Sequence, residues 1–239
     1  MQIVKSYSYN KYKPVSLFKM KCIIVLFVSF FTLSALAQED IKVTSLPKFS
    51  IRANVGIPKV ASSKALRSSF SGVSSLDINL NYKLFGGFFA GIGFNHVYYK
   101  SQKHFREQFI NTSMQMQNGY LKIGYDHFFS DRGFATMSLN TGFGSTQFSA
   151  IKYKNDSLIG KYPTHFTSSF MEPSVALNFL VEPNFAFGGY ISYHYNFSQF
   201  NPAYAGFDKW LDYTRISNKW NTSLITIGFG FYYAIGKVN

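Results

Sequence analysis

The sequence predicts an all-β fold: an eight-stranded antiparallel up-and-down transmembrane β-barrel with short periplasmic turns and four long extracellular loops. Three observations lead to this prediction. Apolar residues alternate with small or polar ones in eight separate stretches, the connections between these stretches are alternately long and short, and a secretory leader precedes them. Outside the leader, no apolar run reaches the roughly 20 residues that a membrane-spanning helix needs.

The first 37 residues have the organisation of a secretory signal peptide. Two lysines precede the apolar run at residues 23–36, and the Ala-Leu-Ala at 35–37 places small residues at the spacing of a cleavage site. We predict cleavage after Ala37, with Met20 as an alternative translation start to Met1. The predicted mature chain consists of a periplasmic segment at 38–48, the barrel at 49–236 and a tail at 237–239.

The leader also contains the chain's single cysteine and part of its basic charge. Because Cys22 lies within it, no disulfide is expected in the mature chain. Residues 1–37 contain five lysines and no acidic residue, and their removal lowers the net charge from +13 to +8. The basicity of the whole sequence therefore overstates the case for nucleic-acid binding, and we predict no nucleic-acid partner.

Each predicted strand has the period of two that is typical of a strand with one apolar face. In the last one the apolar face runs from Ile225 to Tyr233, and small or polar residues lie opposite. An unpaired strand edge within a membrane costs several kcal/mol per unsatisfied group, so this strand must pair on both edges, with the first strand as its second partner. The predicted strands span residues 49–57, 76–84, 88–98, 121–126, 135–144, 171–179, 185–197 and 221–234.

The connections and two prolines complete the predicted topology. Pro58 is expected to end the first strand, and Pro173 predicts a bulge or a weak edge in the sixth, because proline donates no ladder hydrogen bond. An even number of strands with short periplasmic turns places both termini in the periplasm. The predicted short turns lie at Gly86-Gly87, Ser130–Gly133 and Glu182–Asn184, and the long loops at Lys59–Gly72, Lys100–Ser113, Ser149–His165 and Gln199–Lys219.

Charged residues at inward positions balance in sign. An eight-stranded barrel has an interior that side chains fill, and unpaired charges there would be very costly, so we expect a neutral interlocked network. A gated ion path is the alternative. The inward polar network is predicted to contain Arg52, Asp77, Lys83, Lys122, Asp126, Glu172 and His194.

The four predicted long loops are all basic, with net charges of +3, +2, +2 and +1, which together equal the net charge of the mature chain. A basic rim above an apolar wall suits the phosphates of lipopolysaccharide. A merely solvated surface would have the same composition, and the sequence leaves both open. The possible lipopolysaccharide contacts are Lys59, Lys64, Arg67, Lys100, Lys103, Arg106, Lys152 and Lys154.

Catalysis would need a nucleophile and a base within hydrogen-bond reach. His194 points inward two residues from Ser192, but no spacing defines a catalytic triad or a metal site. We therefore predict a non-enzymatic protein without a cofactor, a catalytic residue or a metal ligand. A lipid-modifying barrel enzyme remains a third hypothesis for function.

The segment Thr226–Tyr233 resembles the assembly signal of outer-membrane barrels, with Thr226, Gly228, Phe231 and Tyr233 at the matching positions. The chain continues through Asn239, where many such barrels end at an aromatic residue. Over residues 49–236 the pattern is similar to the small eight-stranded barrels of the outer-membrane protein A group, and in style to the PorT-like barrels of Bacteroidetes. The resemblance implies the outer membrane of a Gram-negative bacterium.

Two non-enzymatic functions are therefore considered. The first is a structural or surface-interaction role through the loops Lys59–Gly72 and Gln199–Lys219. The resemblance to PorT-like proteins implies the second, an accessory component of a secretion or envelope-assembly machine with a protein partner. In either case the expected partners are outer-membrane lipid, lipopolysaccharide and, during biogenesis, the barrel-assembly machinery.

Overall fold

The computed structural model of the chain describes residues 48–62, 64–101, 110–154, 157–200 and 220–236. The predicted signal peptide, the alternative start and the C-terminal tail lie outside the described residues. No helix within these ranges is long and apolar enough to cross a membrane.

Within the described ranges, eight antiparallel strands form a closed barrel, in which each strand pairs with its neighbours in sequence and the last pairs with the first. This confirms the predicted fold class. We call the end at which the first strand begins the turn end, and the opposite end the loop end. The strands are β1 (Phe49–Val60), β2 (Phe70–Lys83), β3 (Phe88–Ser101), β4 (Ile110–Phe128), β5 (Gly133–Lys154), β6 (Ser157–Glu182), β7 (Phe185–Phe200) and β8 (Trp220–Ile235).

Side chains alternate between an apolar exterior and a largely polar interior, because successive residues of a strand point to opposite faces. On β8, Ile227 and Phe229 are exposed outside, whereas Thr226 and Tyr232 are buried inside. The most exposed apolar side chains are on different strands, at 72% for Phe143 and 71% for Phe229. The apolar exterior therefore continues around the barrel.

The seam between β1 and β8 is paired along the whole of β1, from Phe49 opposite Ile235 to Val60 opposite Leu224. Near its middle, Gly56 lies opposite Gly228. A Cβ atom at Gly56 would lie 2.7 Å from the hydroxyl oxygen of Tyr190 and 2.8 Å from the Ile227 carbonyl oxygen. A side chain at this position would therefore collide with the Tyr190 hydroxyl and with the neighbouring strand.

The first long connection is shorter and more ordered than predicted. Pro58 does not end β1 but pairs with Thr226 of β8. The hydrogen-bonded ladder between β1 and β2 ends earlier, at Gly56 opposite Ser75. Pro58 lies beyond the end of this ladder, so its missing N–H costs no β1–β2 hydrogen bond. Where we predicted a loop, a short helix, α1 (Lys64–Ser69), precedes β2.

The third predicted long loop is instead a β-hairpin. β5 continues to Lys154 and β6 begins at Ser157, and the two pair throughout, with one register shift at Lys152/Tyr153. The second loop is shorter than predicted at both ends, because β3 extends to Ser101 and β4 begins at Ile110. β7 extends two residues into the fourth predicted loop, to Phe200, and β8 begins at Trp220, directly after the predicted end of that loop. Residues 102–109 and 201–219 lie outside the described residues.

The three short turns lie where they were predicted. Gly86, between β2 and β3, has a φ of +52°, a backbone conformation that suits glycine because it has no Cβ. Of the two alternatives predicted at Pro173, the bulge is wrong, because β6 has no register shift there; the shift relative to β7 lies at Leu180/Glu182. The ladder with β7 is interrupted between Met171 and Ser174, which agrees with the predicted weak edge.

An apolar layer lies inside the barrel at each end. Leu66 of α1 is fully buried in the loop-end layer, so the helix packs against the loop end of the lumen. The polar interior lies between the two layers. The loop-end layer consists of Val60, Leu66, Phe70, Val97, Tyr99, Met114, Met116, Phe148 and Leu224, with Phe166 against it; the turn-end layer consists of Phe134, Ala186, Tyr232 and Ala234, with Phe128 and Leu180 against it.

Candidate functional site: the lumen and the loop-end rim

The first polar cluster of the lumen is organised around Arg52 of β1. Its Nη2 atom donates to Asp126 Oδ2 at 2.7 Å and its Nη1 atom to Thr136 Oγ1 at 3.1 Å. Thr136 in turn donates to Asp126 Oδ1 at 2.6 Å. The guanidinium carbon lies 4.3 Å from the ring centroid of Phe89 and 5.0 Å from that of Tyr232. The buried cation is thus stabilised by a carboxylate and by two aromatic rings.

The second cluster is organised around Asp77 of β2. Asn54 and Asn79 donate to its Oδ1 atom at 2.9 and 2.8 Å, and the Tyr120 hydroxyl donates to Oδ2. Lys122 reaches the same cluster through Asn79, with Nζ to Oδ1 at 3.4 Å. Hydrogen bonds to a buried carboxylate offset the loss of its hydration.

The third cluster joins β6 to β7. Glu172 Oε2 lies 2.9 Å from His194 Nδ1, and His194 Nε2 lies 3.2 Å from Asn196 Oδ1. The Phe170 ring stacks on the imidazole with a centroid distance of 4.5 Å. Both ring nitrogens of His194 are therefore held by polar neighbours.

The lumen thus brings together six of the seven predicted network residues in these three clusters. Lys83 is the exception: it is the last residue of β2 and is half-buried at the turn end. The structure also adds Tyr120, Thr136, Asn79 and Asn196, which were not singled out. The alternation of the sequence places these four residues on the inward face. It does not show which residue each of them contacts, because a neutral side chain does not require a partner of a particular charge.

The two residues considered for catalysis lie inside the lumen. Ser192 and His194 are both buried at 3% exposure. Apolar layers flank the lumen at both ends. The described residues contain no group of three or more His, Cys, Asp or Glu side chains that could hold a metal ion.

At the loop end, the predicted basic contacts fall into three groups. Lys59 and Lys100 are exposed on strands β1 and β3, and Arg67 is exposed on α1. Lys64 is a residue of α1, and Lys152 and Lys154 are residues of β5. Lys103 and Arg106 lie outside the described residues.

The predicted assembly-signal positions all lie on β8. Thr226 is buried inside and Gly228 lies opposite Gly56, whereas Phe231 and Tyr233 are exposed outside. The aromatic positions thus face outward at the turn end, and the polar position faces inward.

The fold and its interior define a class: a small closed barrel of eight antiparallel strands, with an apolar outer wall and a polar, side-chain-filled lumen. No protein-family model matches the sequence, and no curated protein matches it.

Solved structures match the barrel at low sequence identity. A major outer membrane protein from Thermus thermophilus matches with a TM-score of 0.53 and 12% identity, over 78% of this chain and 98% of that chain. Neisserial surface protein A matches with a TM-score of 0.49 and 15% identity, over 79% and 98%. Ail, the attachment invasion locus protein of Yersinia pestis, matches with a TM-score of 0.45 and 13% identity, over 79% and 100%. The first of these matches shows a shared fold.

Proposed function

We propose that the chain is a non-enzymatic outer-membrane barrel with a structural or surface-interaction role at its loop end. One observation carries the proposal: the barrel's outer wall is a continuous apolar surface, while its polar side chains face inward. A water-soluble barrel would expose the opposite pattern, because a large contiguous apolar surface in water promotes association. A closed barrel satisfies its backbone groups internally, as a hydrocarbon environment requires.

The loop end is proposed to face the outside of the cell, with the turn end and both barrel termini in the periplasm. Short connections are typical of the periplasmic side of such barrels. The charges agree with this orientation. All carboxylates of the described residues lie in the lumen or at the turn end, whereas exposed cations lie at both ends, with Lys59, Arg67 and Lys100 at the loop end and Lys48 and Arg132 at the turn end. Among the described residues, the exposed charge of the loop end is therefore purely positive. Contact with anionic outer-leaflet lipid follows from that orientation.

A filled lumen favours the structural role over the alternative of a gated ion path. Two apolar layers and three hydrogen-bonded clusters occupy the interior of a barrel whose strand number leaves room for little else. Function would then reside in the outer surfaces. Whether these surfaces hold a protein partner separates a surface-interaction barrel from a PorT-like accessory component of a secretion or envelope-assembly machine.

The test is cross-linking in intact cells, followed by purification in mild detergent and identification of the attached molecules. Lipopolysaccharide and abundant neighbours alone would support the surface role. A stoichiometric envelope protein would favour the accessory role. In that case a turn-end variant, Asp131→Asn with Arg132→Gln, and a loop-end variant, Arg67→Gln, would show which end holds the partner. Recovery of the chain from the soluble periplasmic fraction would contradict the proposal as a whole.

A further inference from the structure

Two lysines and a serine lie in one row across three adjacent strands at the loop-end rim. Ser71 of β2 pairs with Lys100 of β3. On its other side, a Cβ atom at Gly72 would overlap the carbonyl oxygen of Pro58, so these residues are neighbours across β1 and β2. Lys59 follows Pro58 on β1 and Ser71 precedes Gly72 on β2, so Lys59 and Ser71 both lie next to this contact, on its loop-end side.

All three side chains of this row point outward. Lys59, Ser71 and Lys100 are exposed, whereas a residue next to each of them in sequence is buried in the loop-end layer: Val60, Phe70 and Tyr99. Two strand spacings separate the lysine backbones by roughly 10 Å. Lysine side chains are long and flexible, so both ammonium groups can approach one anion placed over Ser71.

The surface next to the row is apolar. Ile57, two residues before Lys59 on the same face of β1, is 59% exposed, and Val73, close to Ser71, is 46% exposed. On β3, the Lys100 ammonium lies 5.8 Å from the ring centroid of Tyr98. An anion in the row would therefore lie where a cationic patch meets an apolar wall. The phosphate of a lipid suits this boundary, because its acyl chains can contact the wall; a soluble anion gains nothing from the apolar surface.

Charge around the row is uniformly positive in the part of the chain that the structure describes. The helix α1, which carries the exposed Arg67, follows β1 and precedes β2, so it lies at the same rim. The nearest described carboxylates are in the lumen or at the turn end. No described acidic side chain thus competes with an incoming phosphate.

We propose that Lys59, Ser71 and Lys100 form a binding site for the phosphate of an outer-leaflet lipid of the lipopolysaccharide kind, seated against the wall of β1–β3. The site rests on the proposed membrane role and specifies which face of the barrel holds the lipid. It also predicts that binding weakens as salt is raised, because exposed charge pairs are screened.

The experiment measures the dissociation constant of diphosphorylated lipid A for the full mature chain in neutral detergent, by native mass spectrometry. Lys59→Gln with Lys100→Gln should weaken binding roughly tenfold, the sum of two exposed ion pairs. The matched control is Lys48→Gln with Arg132→Gln, which removes the same charge from exposed turn-end positions and should leave binding unchanged. Ser71→Ala should weaken it by a smaller factor.

Three outcomes would overturn the site: equal weakening in the control variant, equal binding of dephosphorylated lipid A, or displacement of the lipid by inorganic phosphate at comparable concentration. The last would assign the row to a soluble anion. Insertion of the same protein into phosphatidylcholine vesicles is measured in parallel. A barrel that inserts but does not discriminate lipid A phosphates retains its proposed membrane role and loses the site, whereas failure to insert contradicts the membrane role itself.

Discussion

Arg52 and Asp126 form an ion pair of 2.7 Å across the lumen, although their strands, β1 and β4, are not neighbours in the barrel. Both side chains are buried. The pair therefore links the strand at the seam to the middle of the sheet by a contact other than a backbone ladder.

Removal of either partner should destabilise the barrel by about 3–5 kcal/mol, because the remaining charge is left buried without its counterion. We expect this cost for Asp126→Asn and for Arg52→Leu in urea unfolding of the barrel in lipid vesicles. The double variant Arg52→Leu with Asp126→Leu should cost less than the sum of the two single variants. Strict additivity would show that the two side chains do not depend on each other.

The Tyr120 hydroxyl is one of three donors to Asp77. Tyr120→Phe should lower the free energy of unfolding by about 1–3 kcal/mol, since a buried carboxylate loses a hydrogen bond without gaining water. Tyr82→Phe, on the exposed outer face of β2, is the control and should change stability far less. Equal effects of the two variants would argue against a stabilising role for this hydroxyl.

Gly56 lies where a side chain would meet the Tyr190 hydroxyl and the β8 backbone. Gly56→Ala should therefore reduce the yield of folded barrel on refolding, because the strands of the seam must move apart. Gly119→Ala tests the same chemical change where a Cβ atom meets no atom within 4 Å, and it should refold normally. A normal yield for Gly56→Ala would mean that Tyr190 can move aside at little cost.

Leu66 is fully buried, and it holds α1 against the loop-end layer. Leu66→Ala should remove about 2–5 kcal/mol of packing free energy, part of it as local release of the helix. The measurement is the rate of tryptic cleavage after Arg67, which should rise in the variant. Val73→Ala, at an exposed position of β2, should leave the rate unchanged; a similar increase there would indicate a general loosening of the barrel.

The strands of the wall were predictable because membrane and lumen impose opposite polarities on alternate residues. The β5–β6 hairpin was not. Gln147 and His165 lie opposite each other on its exposed face, whereas Phe148 belongs to the loop-end layer inside and Phe166 packs against it. The polarity of the two faces is therefore the reverse of that in the wall, and a search for the wall's pattern does not find it. The prediction that Pro58 ends β1 was wrong for a different reason: Pro58 lies in a strand, beyond the residue at which the recorded β1–β2 ladder ends.

The alternation of residues along each strand was enough to predict which side chains face the lumen. It was not enough to predict which of them contact one another. Arg52 meets Asp126 and Asp77 meets Tyr120 only because tilt and stagger of the strands bring these positions to the same height. A one-dimensional pattern does not contain the stagger. Asn79 connects Asp77 to Lys122, and its contact with Lys122 depends on this stagger between the strands.

The β1–β8 seam has a consequence for the order of folding. Its paired residues, from Phe49 with Ile235 to Val60 with Leu224, are the most distant in sequence of any strand pair in the barrel, whereas β2–β3 and β6–β7 are joined by short turns. Since the entropy lost in closing a loop grows with its length, hairpins are expected to form first and the seam last. The half-made barrel would then carry two open edges, so the closing step is where a chaperone or a catalyst of insertion would have its largest effect on the folding rate.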